Sequence, residues 1–193
     1  MASLLDGFTF DDIEYLVEGN AFLKGYLKGY LAELRLEQYL EVLPGVSSVK
    51  KIPDFENRKG DFEVVYKGEI ITIECKSLEI NVTEDPVHDS WKGSVCIKTS
   101  CRPVEVNGEK IRTSYIKKGT FDILAISTFA VEGTWDFLFM ENKYLPESIP
   151  GFVQTKLWVN PHETAGLTYN VVGLFDKILE TRRQALDTSL STN

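Results

Sequence analysis

The chain has 193 residues, 43% of them apolar and 26% charged, with 29 acidic against 21 basic side chains and a formal charge of −8. These are ordinary globular values; they exclude a disordered, collagen-like or cysteine-stapled chain, and the acidic total excludes a broadly basic coat for nucleic acid. No apolar run approaches the roughly 18 residues that a membrane helix needs, and Met1 to Phe10 lacks the basic and apolar stretches of a signal peptide. Three cysteines, Cys75, Cys96 and Cys101, show no CxxC spacing and read as free thiols in a reducing cytoplasm. The length suits one domain over 1–193. The charge is uneven: residues 1–45 carry 8 acids and 3 bases, 46–120 carry 12 and 13, and 121–193 carry 9 and 5. An anionic ligand meets least repulsion in the middle segment.

Thr9, Asp11 and Asp12 read as an N-cap and an acidic first turn. From Asn20 to Leu43, apolar residues recur at three and four (Leu23, Tyr26, Leu27, Tyr30, Leu31, Leu34, Leu40), which predicts an amphipathic helix closed by Pro44-Gly45. Gly25 and Gly29 weaken it or let something pack close. Lys50 to Lys59 is polar and turn-like. Asp61 to Tyr66 and Ile70 to Lys76 alternate on either side of Lys67-Gly68-Glu69, a β-hairpin. A helix opened after Pro86 is expected within 85–97. Asn107-Gly108 predicts a short hairpin within 104–115. A further hairpin is expected from Phe121–Ile126 to Trp135–Phe139. Pro146, Pro150-Gly151 and Pro161 mark loops. A last helix is expected over about 171–186, with Leu174, Phe175, Ile178 and Leu179 inward and Thr188 to Asn193 as a frayed tail.

The first hairpin can be tested against strand geometry, since directly opposed residues share a face. With a Lys67-Gly68 loop, Asp61 opposes Glu74; with Gly68-Glu69, it opposes Lys76. Either register puts Asp61, Glu74 and Lys76 on one face and Phe62, Val64, Tyr66, Ile71, Ile73 and Cys75 on the other, which is a sound core face. Two neighbouring carboxylates repel, and a hard cation such as Mg²⁺ relieves the repulsion while keeping waters and accepting phosphate oxygens. The backbone carbonyl of Cys75 would complete the donor set. Metal-bound water is more acidic than bulk water, and Lys76 would orient or deprotonate it and stabilise charge developing on a phosphate.

These residues, Gly60-Asp61-Phe62 followed by Ile73-Glu74-Cys75-Lys76 after a hairpin, resemble the PD-(D/E)XK nuclease superfamily. Asp61 matches the first acid, Glu74 the second and Lys76 the lysine, over a resemblance spanning roughly residues 20 to 140. Gly-Asp stands here in place of Pro-Asp; Pro53-Asp54 matches literally but lies outside the hairpin. The resemblance implies an α/β, restriction-endonuclease-like core. Its mixed β-sheet has four or five strands flanked by α-helices, with a helix crossing between strands. It implies a glutamate on the preceding helix near the metal, for which Glu33 is the best match and Glu37 the next. It also implies a metal-dependent endodeoxyribonuclease using Mg²⁺ or Mn²⁺ without a nucleotide cofactor, close to a type II restriction endonuclease and often a homodimer.

Lys98, Arg102, Arg112, Lys117 and Lys118 are candidate contacts to DNA phosphates or guanine edges. Ser77 and Glu79 follow the triplet and read as its rim. Trp91, Trp135 and Trp158 read as core residues, and Tyr115 as packing or stacking. His88 is read as a loop histidine and His162 stands alone; no Cys/His spacing suits zinc. Phosphate-binding glycine loops and a nucleophile elbow are absent from the sequence. Three other readings stay open beside restriction: a structure-selective repair or recombination nuclease, a non-catalytic nucleic-acid-binding module on the same fold, and a purely structural protein.

Overall fold

A computed structural model describes residues 9–53, 60–79, 83–85, 90–98, 102–106 and 109–191. In chain order the elements are α1 (Phe10–Glu18), α2 (Ala21–Glu41), β1 (Val46–Lys51), β2 (Phe62–Tyr66), β3 (Glu69–Ser77), β4 (Thr83–Asp85) and β5 (Ser90–Cys96). There follow β6 (Arg102–Val106), β7 (Glu109–Thr113), β8 (Ile123–Ser127), the short α3 (Phe129–Glu132) and β9 (Phe137–Glu141). The chain ends with β10 (Glu147–Ile149), β11 (Phe152–Val153), β12 (Lys156–Val159), β13 (Leu167–Thr168) and α4 (Val171–Ser191). This is a mixed α/β fold around a six-stranded sheet of order β1-β2-β3-β8-β9-β13. Only β3 and β8 run parallel; every other neighbouring pair is antiparallel.

The hairpin β2–β3 takes the first of the two expected registers. Tyr66 pairs with Glu69 and Phe62 with Ile73, so the loop is Lys67-Gly68, and its residues have φ of 49° and 85°. Positive φ at both central positions is the hairpin turn whose twist matches that of the strands. Lys67 adopts it while its ammonium meets Asp176 at 2.6 Å and its backbone N–H donates to the Gly45 carbonyl.

Two apolar layers sandwich the sheet. On one face Ile71, Ile73, Cys75, Phe62, Val64 and Tyr66 pack under α2 and α4, with Leu36 and Leu40 from the first helix and Leu174, Phe175, Ile178 and Leu179 from the last. On the other, Leu124, Ile126, Leu138 and Met140 meet Val95, Leu157, Val159 and Trp91 of a three-stranded sheet, β12-β5-β4. Being covered on both sides, β8 and β9 are buried at every position.

Several expectations are corrected. The stretch expected to hold a helix within 85–97 is strand β5, because Trp91, Val95 and Ile97 bury at a period of two while Lys92 and Lys98 are exposed. The link between parallel β3 and β8 is therefore built of strands, with no helix among the described residues. β1 forms in a stretch expected to be partly turn-like, since its polar residues pair with β2 at the sheet edge. Strands also form among the prolines expected to mark loops, with β12 joined to β5. α4 runs on to Ser191, into the stretch expected to be a frayed tail. Trp158 is 48% exposed, with the Lys156 ammonium over its ring, because it points away from the layer that buries Leu157 and Val159. The hairpin around Asn107-Gly108 forms as expected, with Val106 paired to Glu109; those two residues, together with Asp54, His88 and Cys101, lie outside the described residues.

The largest departure concerns α2. Asn20 caps it, accepting a hydrogen bond from the Leu23 N–H, but of the seven residues expected on its apolar face only Leu40 is buried. The buried residues are Ala32, Leu36 and Leu40, all in the second half of its 21 residues. Traced backwards at the helical repeat, that stripe continues through Gly29 and Gly25, where an added Cβ would meet nothing within 4 Å. A helix of this length spans roughly 31 Å at 1.5 Å per residue. Its C-terminal half covers the sheet, and its N-terminal half runs on past the core. Leu23, Leu27, Leu31 and Leu34 lie off the stripe and stay partly exposed.

Gly60 has φ 83°, and a Cβ there would sit 2.7 Å from the Ile73 carbonyl oxygen. Gly60→Ala is expected to lower unfolding stability by more than about 1 kcal/mol, read as a lower urea midpoint at unchanged slope.

Candidate active site

The C-terminal ends of β1 and β3 and the start of β2 meet at the same end of the sheet, beside the overhanging half of α2. Asp61 is fixed there by two hydrogen bonds to β3. Its backbone N–H donates to the Ile73 carbonyl at 2.8 Å, and its Oδ2 accepts the Cys75 backbone N–H at 2.8 Å. Asp61 thus stands just before β2, tied to β3 at Ile73 and Cys75, the residues on either side of Glu74. Lys76, two residues along β3 and on the same face, puts its Nζ 2.6 Å from Glu74 Oε1 and 3.8 Å from Asp61 Oδ2. The expected convergence of two carboxylates and one ammonium is present.

These groups lie in a cleft of about 890 Å³, whose lining also includes Glu33 from α2 and Cys96 and Lys98 from the end of β5. Glu33 arrives from the helix-covered side of the sheet. Its Oε2 meets the Lys51 Nζ at 2.6 Å, and the same ammonium stands 5.0 Å from the centre of the Tyr30 ring. Lys51 was not singled out in the sequence. Its signal is its place as the last residue of an edge strand opposite Phe62, legible only once β1 is recognised.

Burial opposes the charge on Lys76, but the Glu74 and Asp61 carboxylates outweigh it and hold the ammonium's pKa above its ordinary value. The lysine is therefore a fixed cation in this arrangement, and removing its proton requires first weakening those carboxylates' hold. The Cys75 side chain lies on the opposite, core face, where burial first and the Asp61 charge second push its thiol well up. Its backbone N–H serves Asp61, so any role for Cys75 beside the acids belongs to its main chain.

Among the described residues no group of three or more His, Cys, Asp or Glu side chains is placed to hold a metal ion. The Asp61–Glu74 pair is a smaller donor set, and Mg²⁺ commonly takes one or two carboxylates and keeps several waters. A cation already bridges the pair in the form of the Lys76 ammonium. The donor chemistry therefore fits such an ion.

The candidate phosphate contacts divide. Lys98 is exposed and lines the cleft. Lys117 and Lys118 do not line it. Lys118 belongs to the opposite end of the sheet, near the start of β8, where it binds Glu147 at 3.0 Å and the Leu145 carbonyl at 3.1 Å. Arg102 and Arg112 lie on the β6–β7 ribbon, paired with Thr113 and Pro103; their side chains are outside the described residues. Glu37 does not line the cleft either. Glu79, read as rim, accepts from Ser94 and pairs with Lys156 at 3.1 Å. Ser77 ends β3, Tyr115 packs edge-on against Phe152, and His162 is exposed.

No protein-family model and no curated protein matches the chain. Among solved structures, one described as "The structure of a bacterial homing endonuclease: I-Ssp6803I" is similar to it with a TM-score of 0.43 and 15% identity, covering 86% of this chain and 97% of the other. Among the described residues no helix is long and apolar enough to cross a membrane.

Two outcomes are expected. Lys76→Met leaves Asp61 and Glu74 uncompensated and costs on the order of 3 kcal/mol at neutral pH, measured by urea denaturation. In the folded protein Cys75 stays unmodified by iodoacetamide, read by peptide mass mapping, because a buried, protonated thiol is a poor nucleophile.

Proposed function

We propose that the protein is a metal-dependent endonuclease of the PD-(D/E)XK type, cleaving DNA phosphodiester bonds at the cleft where Asp61, Glu74, Lys76 and Glu33 meet. The observation that carries this reading is the convergence of Asp61 and Glu74 on Lys76, at 3.8 and 2.6 Å, inside an open cleft. A merely structural cross-strand charge pair needs neither the buried register that fixes it nor a third carboxylate from a helix.

Asp61 and Glu74, with the main-chain carbonyl of Cys75, would hold Mg²⁺ or Mn²⁺. Such an ion, when bound, supplies a more acidic water and a positive charge for the phosphate. Lys76, kept cationic by its neighbours, stabilises negative charge growing on the phosphate oxygens. Asp61 is oriented by the Cys75 N–H, so its carboxylate is placed before any substrate arrives. Glu33 completes the carboxylate set from the helix side and is itself held by Lys51. Lys98 at the cleft wall draws in the phosphate chain.

DNA is the proposed partner, and a homodimer of the restriction type is part of the same reading, since two-fold symmetry suits palindromic sites. The cytoplasm is its proposed location, from the free thiols. A structure-selective repair or recombination nuclease is the alternative reading of the same site.

Plasmid nicking tests the proposal. Wild type is expected to relax supercoiled DNA in Mg²⁺ and to stop in EDTA. Asp61→Asn, Glu74→Gln and Lys76→Ala each lose about 10²-fold or more in rate, with a smaller loss for Glu33→Gln. Equal inertness of wild type and Lys76→Ala across supercoiled, linear and single-stranded DNA defeats the enzyme reading.

A further inference from the structure

Glu74 and Lys76 are two residues apart on β3, so they share a face and stand about 7 Å apart along the strand. A lysine side chain can fold back over that distance, and Lys76 does: its Nζ lies 2.6 Å from Glu74 Oε1 and 3.8 Å from Asp61 Oδ2. The contact is sheltered, with the side chains of Lys76, Glu74 and Asp61 only 22%, 11% and 25% exposed. Salt screens an ion pair so placed far less than one on the open surface.

The three partners differ in their freedom to move. Asp61 is tied to β3 at both ends, giving its N–H to Ile73 and accepting that of Cys75, and Glu74 lies inside the strand between those two residues. Lys76 carries its charge on a flexible four-carbon stem and lines an open cleft of about 890 Å³. A second cation arriving at the carboxylates therefore moves the lysine and leaves the acids in place. Charge decides whether both cations can stay. Glu33 in the same cleft is engaged by Lys51 at 2.6 Å, so Lys76 answers to Asp61 and Glu74. Two carboxylates balance one divalent ion by themselves, and an ammonium held a few ångströms from that ion at low exposure is strongly repelled.

We propose that Lys76 is a tethered counter-ion that competes with the divalent ion for Asp61 and Glu74, and that on loading of the ion its ammonium turns out of the carboxylate pair into the cleft, towards the phosphate. This rests on the nuclease reading above and adds to it how the site is loaded. Lys76 weakens ion binding for as long as it stays paired, and the group that stabilises the phosphate is released only at a loaded site.

Binding of Mn²⁺ to the full chain, followed by the electron paramagnetic resonance of the free ion at fixed pH and salt, tests this. Asp61→Asn/Glu74→Gln defines the background from other carboxylates. Above it, Lys76→Met and Lys76→Gln are expected to bind Mn²⁺ about tenfold or more tightly than wild type, while Lys76→Arg, which keeps the charge, binds as weakly as wild type. A lysine that merely braces the carboxylates predicts the reverse, since its loss loosens the pair. A second measurement uses wild type alone and so does not depend on the variants folding. Trace acetylation of Lys76, read by peptide mass mapping against Lys143 at the other end of the sheet, is expected to rise severalfold in Mn²⁺, because an amine freed from its carboxylates is open to the reagent. Equal or weaker binding in both neutral variants, no site above background in any of the proteins, or unchanged labelling of Lys76 overturns the proposal. If Mg²⁺-dependent nicking is present while affinity and labelling stay unchanged, the nuclease reading survives and the counter-ion does not. If the neutral variants bind more tightly and the labelling rises without any nicking, the counter-ion survives as a property of an ion site and the nuclease reading does not.

Discussion

The pairing of β2 with β3 governs the rest of the molecule. Its register is set twice, by the Lys67-Gly68 turn at one end and by Asp61 at the other, which gives its N–H to Ile73 and takes that of Cys75. A slip of one residue would exchange faces along the strand. It would bring Glu74 and Lys76 into the apolar layer under α2 and α4 and expel Ile73 and Cys75 from it. The hydrophobic burial that stabilises the fold and the placing of the charged trio are therefore one constraint. Gly60 belongs to it as well, since only a residue without a Cβ can pass so close to the Ile73 carbonyl.

Holding charges at the tip of a buried sheet costs desolvation, and the structure offsets it locally. Each carboxylate in the cleft has an ammonium within reach: Lys76 for Asp61 and Glu74, Lys51 for Glu33. The two lysines come from different strands and opposite faces, so the cluster closes only around the sheet's end. The compensation leaves Lys76 firmly protonated. On the proposed reading this makes it an electrostatic group at the start of the reaction, where the sequence alone had left water activation equally open.

α2 serves two purposes along one stripe. Over the sheet the stripe is Ala32, Leu36 and Leu40 and fills the core. Beyond the sheet it is Gly29 and Gly25, and the space that side chains would otherwise fill becomes the cleft. Sequence periodicity cannot distinguish these halves. The leucines and tyrosines at positions 23 to 34 repeat at helical spacing, yet the helix presents them to the side with nothing to cover.

The local rules of strand and turn made much of this protein legible beforehand. Alternation in 61–66 and 70–76 determined which residues share a face, and with it the company of Asp61, Glu74 and Lys76, because side-chain direction along a strand has a period of two whatever the strand packs on. The cap at Thr9, the hairpin around Asn107-Gly108 and the inward face of α4 rest on equally local chemistry. Tertiary structure alone decided the rest. Strand β5 stood where a helix was expected because its partner β12 lies more than fifty residues away, and β1, polar along most of its length, is a strand only because β2 offers it an edge. Lys51 joined the site and Lys118 left it for Glu147 by the same cause: which end of a sheet a charge occupies depends on pairings between distant segments, and those carry no signature in the residues next to the charge.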